Sequence, residues 1–206
     1  MKTLVIYDCS SIHDIIEEVR KTNKRAKFDY KNAQNLFTDF TKMVDWEAPD
    51  DKSSIALVTI DQSSERQQLF IKALSNFGIL VENIDFRLAI PTSPIGVKFS
   101  SFGHFVDLSP YMTYILGMKT NQPMNVIVVT RTFGIYGPLM DYITKRGGHV
   151  YLAFFKRFLD NRWMKEIQVD NYKADRINFL NLEDNSVEIL GVDLPVSETT
   201  VGLSSL

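Results

Sequence analysis

The sequence predicts a three-layer α/β domain with a mainly parallel central sheet. Short, continuously apolar runs recur along the chain, as strands buried on both faces require. Between them stand stretches whose apolar residues repeat at helical spacing. Their alternation, joined by polar turns, is the order of a parallel sheet covered on both faces. About five or six strands are expected.

Leu4 to Tyr7 is the first such run and ends in polar Asp8-Cys9-Ser10-Ser11. Ile12, Ile15, Ile16 and Val19 then recur at helical spacing before the basic stretch Lys21 to Lys27. Ala33, Leu36, Phe37, Phe40 and Met43 repeat the pattern, which gives two N-terminal helices. Trp46 to Ser54, rich in Asp, Pro, Lys and Ser, reads as a surface connection into a second strand, Ile55 to Ile60. Gln62-Ser63-Ser64-Glu65 offers capping hydroxyls for a helix with Leu69, Phe70, Ala73, Leu74 and Phe77 on its apolar face, stopped at Gly78. Ile79 to Ile84 is the third strand. The segment from Arg87 to Gly103 is expected to be a long irregular excursion, of the kind that carries function or orders on a partner.

From Val106 the chain turns helical through Met112 and Leu116, with Pro110 in the first turn, where its missing N–H is harmless. Val126 to Thr130 is the most strand-like segment. A Gly-containing turn, Arg131 to Gly137, a helix from Pro138 to Lys145 and the pair Gly147-Gly148 lead to a fifth strand, Val150 to Phe154. Phe155 to Met164 is expected as a short helix and Arg176 to Leu182 as a strand. Glu183 to Ser186 would turn that strand back into Val187 to Leu190 as a hairpin, and Ser197 to Leu206 would fray. The expected organisation is one domain over 1–190 and a tail over 191–206.

Composition narrows the function classes. The 206 residues are 45% apolar and 23% charged, enough to bury a sizeable core. Lys plus Arg total 23 against 25 Asp plus Glu, so no global positive field points to nucleic acid or an anionic membrane, and any such contact needs a local patch. One cysteine, Cys9, excludes an internal disulfide framework and suits a reducing compartment. The first apolar run is too short for a signal peptide, and no stretch approaches the roughly 18 apolar residues of a membrane span. A cytoplasmic, intracellular protein without a membrane partner is the expectation.

In an open parallel sheet, ligands bind beyond the carboxyl ends of the strands. Asp8, Asp61 and the turn from Thr130 to Gly137 stand there by position, and Asp107 would open the helix after the long excursion. Carboxylates converging on one point are what magnesium chemistry needs. An Asp at a strand end is more often a cap or turn former. Lys21, Lys24, Arg25, Lys27 and Lys31, with Phe28 and Tyr30 among them, are the residue types that grip a phosphate backbone and stack a base, although a charged helix end is usually just solvated. Lys156, Arg157, Arg162 and Lys165 around Trp163 pose the same choice. Cys9, with no base beside it in sequence, reads as a packed residue and not a nucleophile. Phe99, Phe102, Phe105, Tyr111 and Tyr114 cover the core or, if exposed, form a protein-binding patch.

Val5-Ile6-Tyr7-Asp8-Cys9-Ser10-Ser11, then His104-Phe105-Val106-Asp107-Leu108, then a strand, a Gly-containing turn and Pro138-Leu139, resemble the NYN branch of the PIN-like ribonuclease superfamily. Gly147 to Leu152 and Ala174 to Leu182 are similar to that family's closing elements. The resemblance spans most of the chain. It implies a PIN-like, Rossmannoid fold with the first strand central, between the second and the fourth. It also implies that Asp8 and Asp107 fall on two metal-binding acids, for Mg or Mn. The third motif is Thr130-Arg131-Thr132-Phe133-Gly134-Ile135, without a carboxylate. Ser11 stands in place of the usual Asn, and His104 where Lys is common. Losing those acids and gaining the Arg131 cation oppose a divalent ion.

The expected function is therefore a degenerate nuclease that binds RNA, another nucleic acid or a protein, itself included as a homodimer, with Arg131, Ser11, Thr130, Thr132 and His104 as binding residues. The alternative is an active divalent-metal-dependent ribonuclease in which Asp8 and Asp107, helped by Asp61, hold the ion. Arg131 is expected to neutralise Asp8 or Asp107, or else to turn the cleft toward an anion such as phosphate.

Overall fold

In the computed structural model, residues 1–49, 54–58, 65–83, 123–131, 136–159 and 176–194 are described. Strand β1 (Thr3–Asp8) is buried at every position, which is why its sequence is continuously apolar rather than alternating. It lies between β2 (Ser54–Val58) and β4 (Asn125–Val129), parallel to both, with Ile6 opposite Ile55 on one side and Val128 on the other. Strand β3 (Leu80–Asn83) extends the sheet beyond β2, and β5 (Val150–Phe154) and β6 (Ile177–Asn181) extend it beyond β4. The six strands run in the order β3-β2-β1-β4-β5-β6, all parallel. This is a Rossmann-like order. Its direction reverses between β1 and β4, so a crevice opens at the carboxyl ends of those two strands.

Helices cover both faces. On one, Val5, Tyr7 and Ile127 pack with Ile12 and Ile15 of α1 (Cys9–Arg20) and with Ala33 and Phe37 of α2 (Tyr30–Met43). On the other, Leu4, Ile6 and Val128 pack with Leu139, Met140 and Ile143 of α4 (Gly137–Lys145). Each of these large side chains contributes about 1.5–3 kcal/mol by leaving water. Helix α3 (Glu65–Asn76) is held more lightly, with Leu74 its one fully buried residue. The pair after α4 has a specific cause. Gly147 adopts φ 85°, and a Cβ on Gly148 would collide with the Met124 carbonyl at the start of the neighbouring strand.

Three expectations are corrected. Val187 to Leu190 is not the return strand of a hairpin but part of α5 (Ser186–Leu190). Ser186, Ile189 and Leu190 are buried while Val187 is exposed, which is the one-sided burial of a helical turn. Its last carbonyls accept hydrogen bonds from the backbone N–H groups of Lys27 and Asp29, at 3.3 and 2.7 Å, so α5 clasps the entry to α2 instead of pairing with β6. The core continues to Val192, which is buried. Of the helix expected from Phe155 to Met164, the described part is a single 3-10 turn, Lys156–Phe158. Ser54 belongs to β2, and Trp46 packs its ring against Phe40 and Tyr151, so the connection between them is only partly a surface one. The excursion from Arg87 to Gly103, the helix after Val106, the aromatic cluster from Phe99 to Tyr114, the Trp163 region and the tail from Ser197 lie outside the described residues. Among the described residues, no helix is long and apolar enough to cross a membrane.

Candidate functional site

The crevice between β1 and β4 is built from Asp8, Ser11, Thr130 and Tyr136. Asp8 ends β1 and is at once the N-cap of α1: Oδ1 accepts from the Ser11 backbone N–H at 3.1 Å. Its Oδ2 accepts from the Ser11 hydroxyl at 2.9 Å and from the Thr130 hydroxyl at 3.0 Å, and the two hydroxyl oxygens are themselves 3.1 Å apart. All three residues are buried. Thr130 reaches the cluster because β4 lies beside β1 in parallel, with Tyr7 opposite Val129. Behind it the Tyr136 hydroxyl is buried near Asp8 and Thr130 without hydrogen-bond geometry to either. Burial first, and then the Asp8 charge, push the Tyr136 phenol well above its ordinary range, so it stays protonated.

Two of the sequence-predicted binding residues, Ser11 and Thr130, are thus brought together with Asp8, and Arg131 stands at the rim. The Asp8 part of its predicted role is corrected, while Asp107 lies outside the described residues. The Arg131 guanidinium lies 3.6 Å from Asp14 on the next turn of α1, and it is hydroxyls, not a cation, that meet Asp8. A buried carboxylate can be stabilised by short hydroxyl and amide donors, which leaves the cation to a half-exposed partner. Asp107, Asp61, His104 and Thr132 lie outside the described residues. Asp14 and Tyr136 were not singled out from the sequence. A helical Asp past the first turn and a Tyr ahead of a Pro-Leu helix carry no local signal of a shared crevice.

Among the described residues, no group of three His, Cys, Asp or Glu side chains is placed to hold a metal ion. The donor chemistry agrees. Of the carboxylates here, Asp8 already accepts three hydrogen bonds and Asp14 is paired with Arg131. A divalent ion needs several oxygen ligands converging on one point, and these residues do not offer them.

No family model and no curated protein matches this sequence. A solved structure does: a protein of unknown function from Vibrio parahaemolyticus, similar over 92% of this chain and 95% of its own, at a TM-score of 0.56 and 17% identity. The likeness is one of fold. It extends this fold to a second, divergent sequence and says nothing about chemistry.

On the other side of β1 lies a cleft of about 680 Å³, between α1 and α3. Ile12, Ile16 and Val58 form its buried floor, and Phe28, Tyr30 and Phe70 its aromatic wall. Those rings are mutually arranged, with Phe28 and Tyr30 edge-on at 4.8 Å and Tyr30 and Phe70 tilted at 5.9 Å. Arg20, Lys27 and Arg66 bring positive charge, and among the described residues no carboxylate lines the cleft. Cys9 is buried at its head, its sulfur 3.5 Å from the Tyr30 hydroxyl. Burial pushes the thiol up to about 12, with the Tyr30 hydrogen bond opposing and the Asp8 charge adding to the shift, so at neutral pH it is a packed thiol. Of the basic run predicted to grip phosphate, Lys27 alone lines the cleft with Phe28 and Tyr30, while Lys21, Lys24, Arg25 and Lys31 are exposed elsewhere.

Proposed function

We propose that this chain is a PIN-like, NYN-type α/β module whose nuclease site has become structural, and that it binds nucleic acid inside the cell without cleaving it. The observation that carries this reading is the set of three hydrogen bonds that Asp8 accepts from the fold itself. A carboxylate serving as N-cap and accepting two further hydroxyl hydrogen bonds is tied into the fold, and turning it out toward a metal would weaken the cap and the hydroxyl contacts that hold it. Arg131 at the rim adds a cation where the resemblance would place an acid, favouring an anionic strand over a divalent ion.

The test compares Mn²⁺ titration calorimetry with cleavage of single-stranded RNA in Mg²⁺ and Mn²⁺, using wild type and Asp8→Asn. Expected are no site-specific Mn²⁺ heat, intact RNA and retained RNA binding. Mn²⁺ binding and cleavage that both disappear in Asp8→Asn would restore the active ribonuclease built on Asp8, Asp107 and Asp61. A protein partner or homodimer is supported by a separate observation: Leu69 of α3, Phe77 in the turn after it and Leu80 of the edge strand β3 are all exposed. Light scattering over a concentration series tests it, a constant monomer mass ruling out the homodimer.

A further inference from the structure

We infer that the cleft between α1 and α3 is a binding site for a nucleoside phosphate, taken either free or as one unit of a single strand. For the single-strand source this rests on the nucleic-acid reading above. Two features of the cleft point to one ligand chemistry. Its wall is aromatic, and Phe28 and Phe70 are only half-buried, so ring surface remains available for a flat base to stack on. Its cations come from two separate elements, Lys27 from the connector ahead of α2 and Arg66 from the first turn of α3, both exposed, with no carboxylate among the described lining residues to neutralise them. Arg20 is committed locally. Its Nε donates to the Ala26 carbonyl at 2.9 Å and its Nη1 to Glu17 at 3.2 Å, which fixes the turn that presents Lys27 and Phe28.

An anion alone would not need the rings, and an apolar ligand alone would leave desolvated cations at its edge. A flat heteroaromatic body carrying a phosphate satisfies both parts. The cleft volume lies within the roughly 300–1,000 Å³ usual for small-ligand sites. The site also lies at the carboxyl edge of the sheet, where Cys9 follows β1 and Val58 ends β2, beside the crevice that Asp8 closes.

Calorimetric titration with adenosine monophosphate, inorganic phosphate and adenosine separates the two contributions, and fluorescence anisotropy with labelled poly-uridine RNA separates the two sources. The variants are Lys27→Gln with Arg66→Gln, both at exposed positions, and Phe70→Leu, which keeps apolar bulk but removes the ring face. Adenosine monophosphate is expected to bind at least roughly tenfold tighter than phosphate or adenosine. The double variant should weaken it roughly tenfold at an unchanged melting temperature, and Phe70→Leu should bring it toward the affinity of phosphate. If the monophosphate binds no better than phosphate, or the double variant binds it like wild type, the inference is wrong. RNA binding lost in the same double variant assigns the single-strand source. Monophosphate binding without RNA binding keeps the cleft as a free-nucleotide site and removes the nucleic-acid reading of the function. RNA bound equally by wild type and double variant, with no monophosphate binding, removes the cleft and leaves that reading standing.

Discussion

Two hollows flank β1 at the carboxyl edge of the sheet, and they have opposite fates. Toward β4, Asp8, Ser11 and Thr130 satisfy one another within about 3 Å and are buried, so the polar groups of the crevice face inward. Toward β2, the lining includes cations, two of them exposed, beside a wall in which Phe28 and Phe70 are half-buried. Both hollows begin at the same strand end and the same helix N-terminus. The difference teaches that an acid in the position of a catalytic one is defined by what it is bonded to. A carboxylate held by three hydrogen bonds secures the fold, while exposed cations beside an open apolar wall, with no carboxylate among the described lining residues, remain available for a ligand.

The largest effect is expected at Asp8. Asp8→Ala removes the cap of α1 and leaves the Ser11 and Thr130 hydroxyls buried beside a cavity, a loss of about 2–4 kcal/mol when capping and unsatisfied-donor costs are combined. Asp8→Asn keeps the capping oxygen and replaces the other by an amide donor, to which the Ser11 and Thr130 hydroxyls can turn as acceptors, and should cost about 1 kcal/mol. Urea denaturation of the two variants measures this. An Asp8→Ala protein as stable as wild type would mean that the crevice is not closed by hydrogen bonds at all.

Alkaline pH should act next, and mainly through the groups around the cleft. Cys9, with an ordinary value of 9.0, and Tyr7 and Tyr30, with 10.0, are all raised in the folded state, chiefly by burial, as is Tyr136 across the sheet. For acids that are neutral when protonated, a raised folded value means that the unfolded chain gives up its protons first. Their contribution is complete below pH 9 and is lost as pH rises above it, first through Cys9 and above pH 10 through the tyrosines as well. Between pH 8 and pH 10 the Cys9 part of the loss is about 1 kcal/mol, and Cys9→Ala should remove that part while leaving the smaller tyrosine part. Denaturation midpoints at those two pH values report the effect, and a Cys9→Ala protein with the same pH slope would refute the assignment.

A pair of matched tyrosine variants sharpens the comparison. Tyr7, on the α1 face, and Tyr136, behind the β4 crevice, both bury a hydroxyl without a partner. Tyr7 packs among Phe28, Tyr30 and Phe37, and among the described residues the polar groups near its hydroxyl, the Cys9 thiol and the Tyr30 hydroxyl, are engaged with each other, so Tyr7→Phe should stabilise by about 1 kcal/mol. Tyr136 has Asp8 and Thr130 beside it, a small rotation away from a hydrogen bond, so Tyr136→Phe should gain nothing or lose a few tenths. Thermal melts that show equal shifts would erase the distinction between the two sides.

Much of the sheet was legible because every one of its inner strands is buried on both faces, a condition that writes continuous apolar runs into Leu4–Tyr7, Val126–Val129 and Val150–Phe154. Helices α1 and α2 were equally plain from their periodicity. The run at Val187–Leu190 was misread because four residues fit either period, and only its clasp on Asp29 decides the matter. At the site, position at the strand ends brought Asp8 and Thr130 forward, and the family resemblance brought Ser11. Their saturation of one another depends on the parallel register of β1 and β4, which no local pattern encodes. The cleft was half visible in Lys27, Phe28 and Tyr30, while Arg66 and Phe70 come from a helix whose sequence reads as an ordinary amphipathic one.

Arg131 gives the smallest effect and the one that discriminates most finely between accounts of the crevice. A cation neutralising a buried Asp8 would be expensive to remove, because breaking one side of a buried pair strands the other charge, at about 3–5 kcal/mol. Arg131 instead faces Asp14 at 3.6 Å, with about a third of each side chain exposed, the geometry of a surface pair worth roughly 0.2–1 kcal/mol. Arg131→Ala should therefore cost less than about 1 kcal/mol, and a double-mutant cycle should return a few tenths of coupling with Asp14→Asn and none with Asp8→Asn. The cost should also shrink in high salt, as exposed pairs are screened. Strong coupling with Asp8 would put the cation back in the crevice and make Asp8 an ion-pair partner instead of a cap. A null cycle at both positions, together with weaker RNA binding by Arg131→Ala, would assign the guanidinium to the bound phosphate alone.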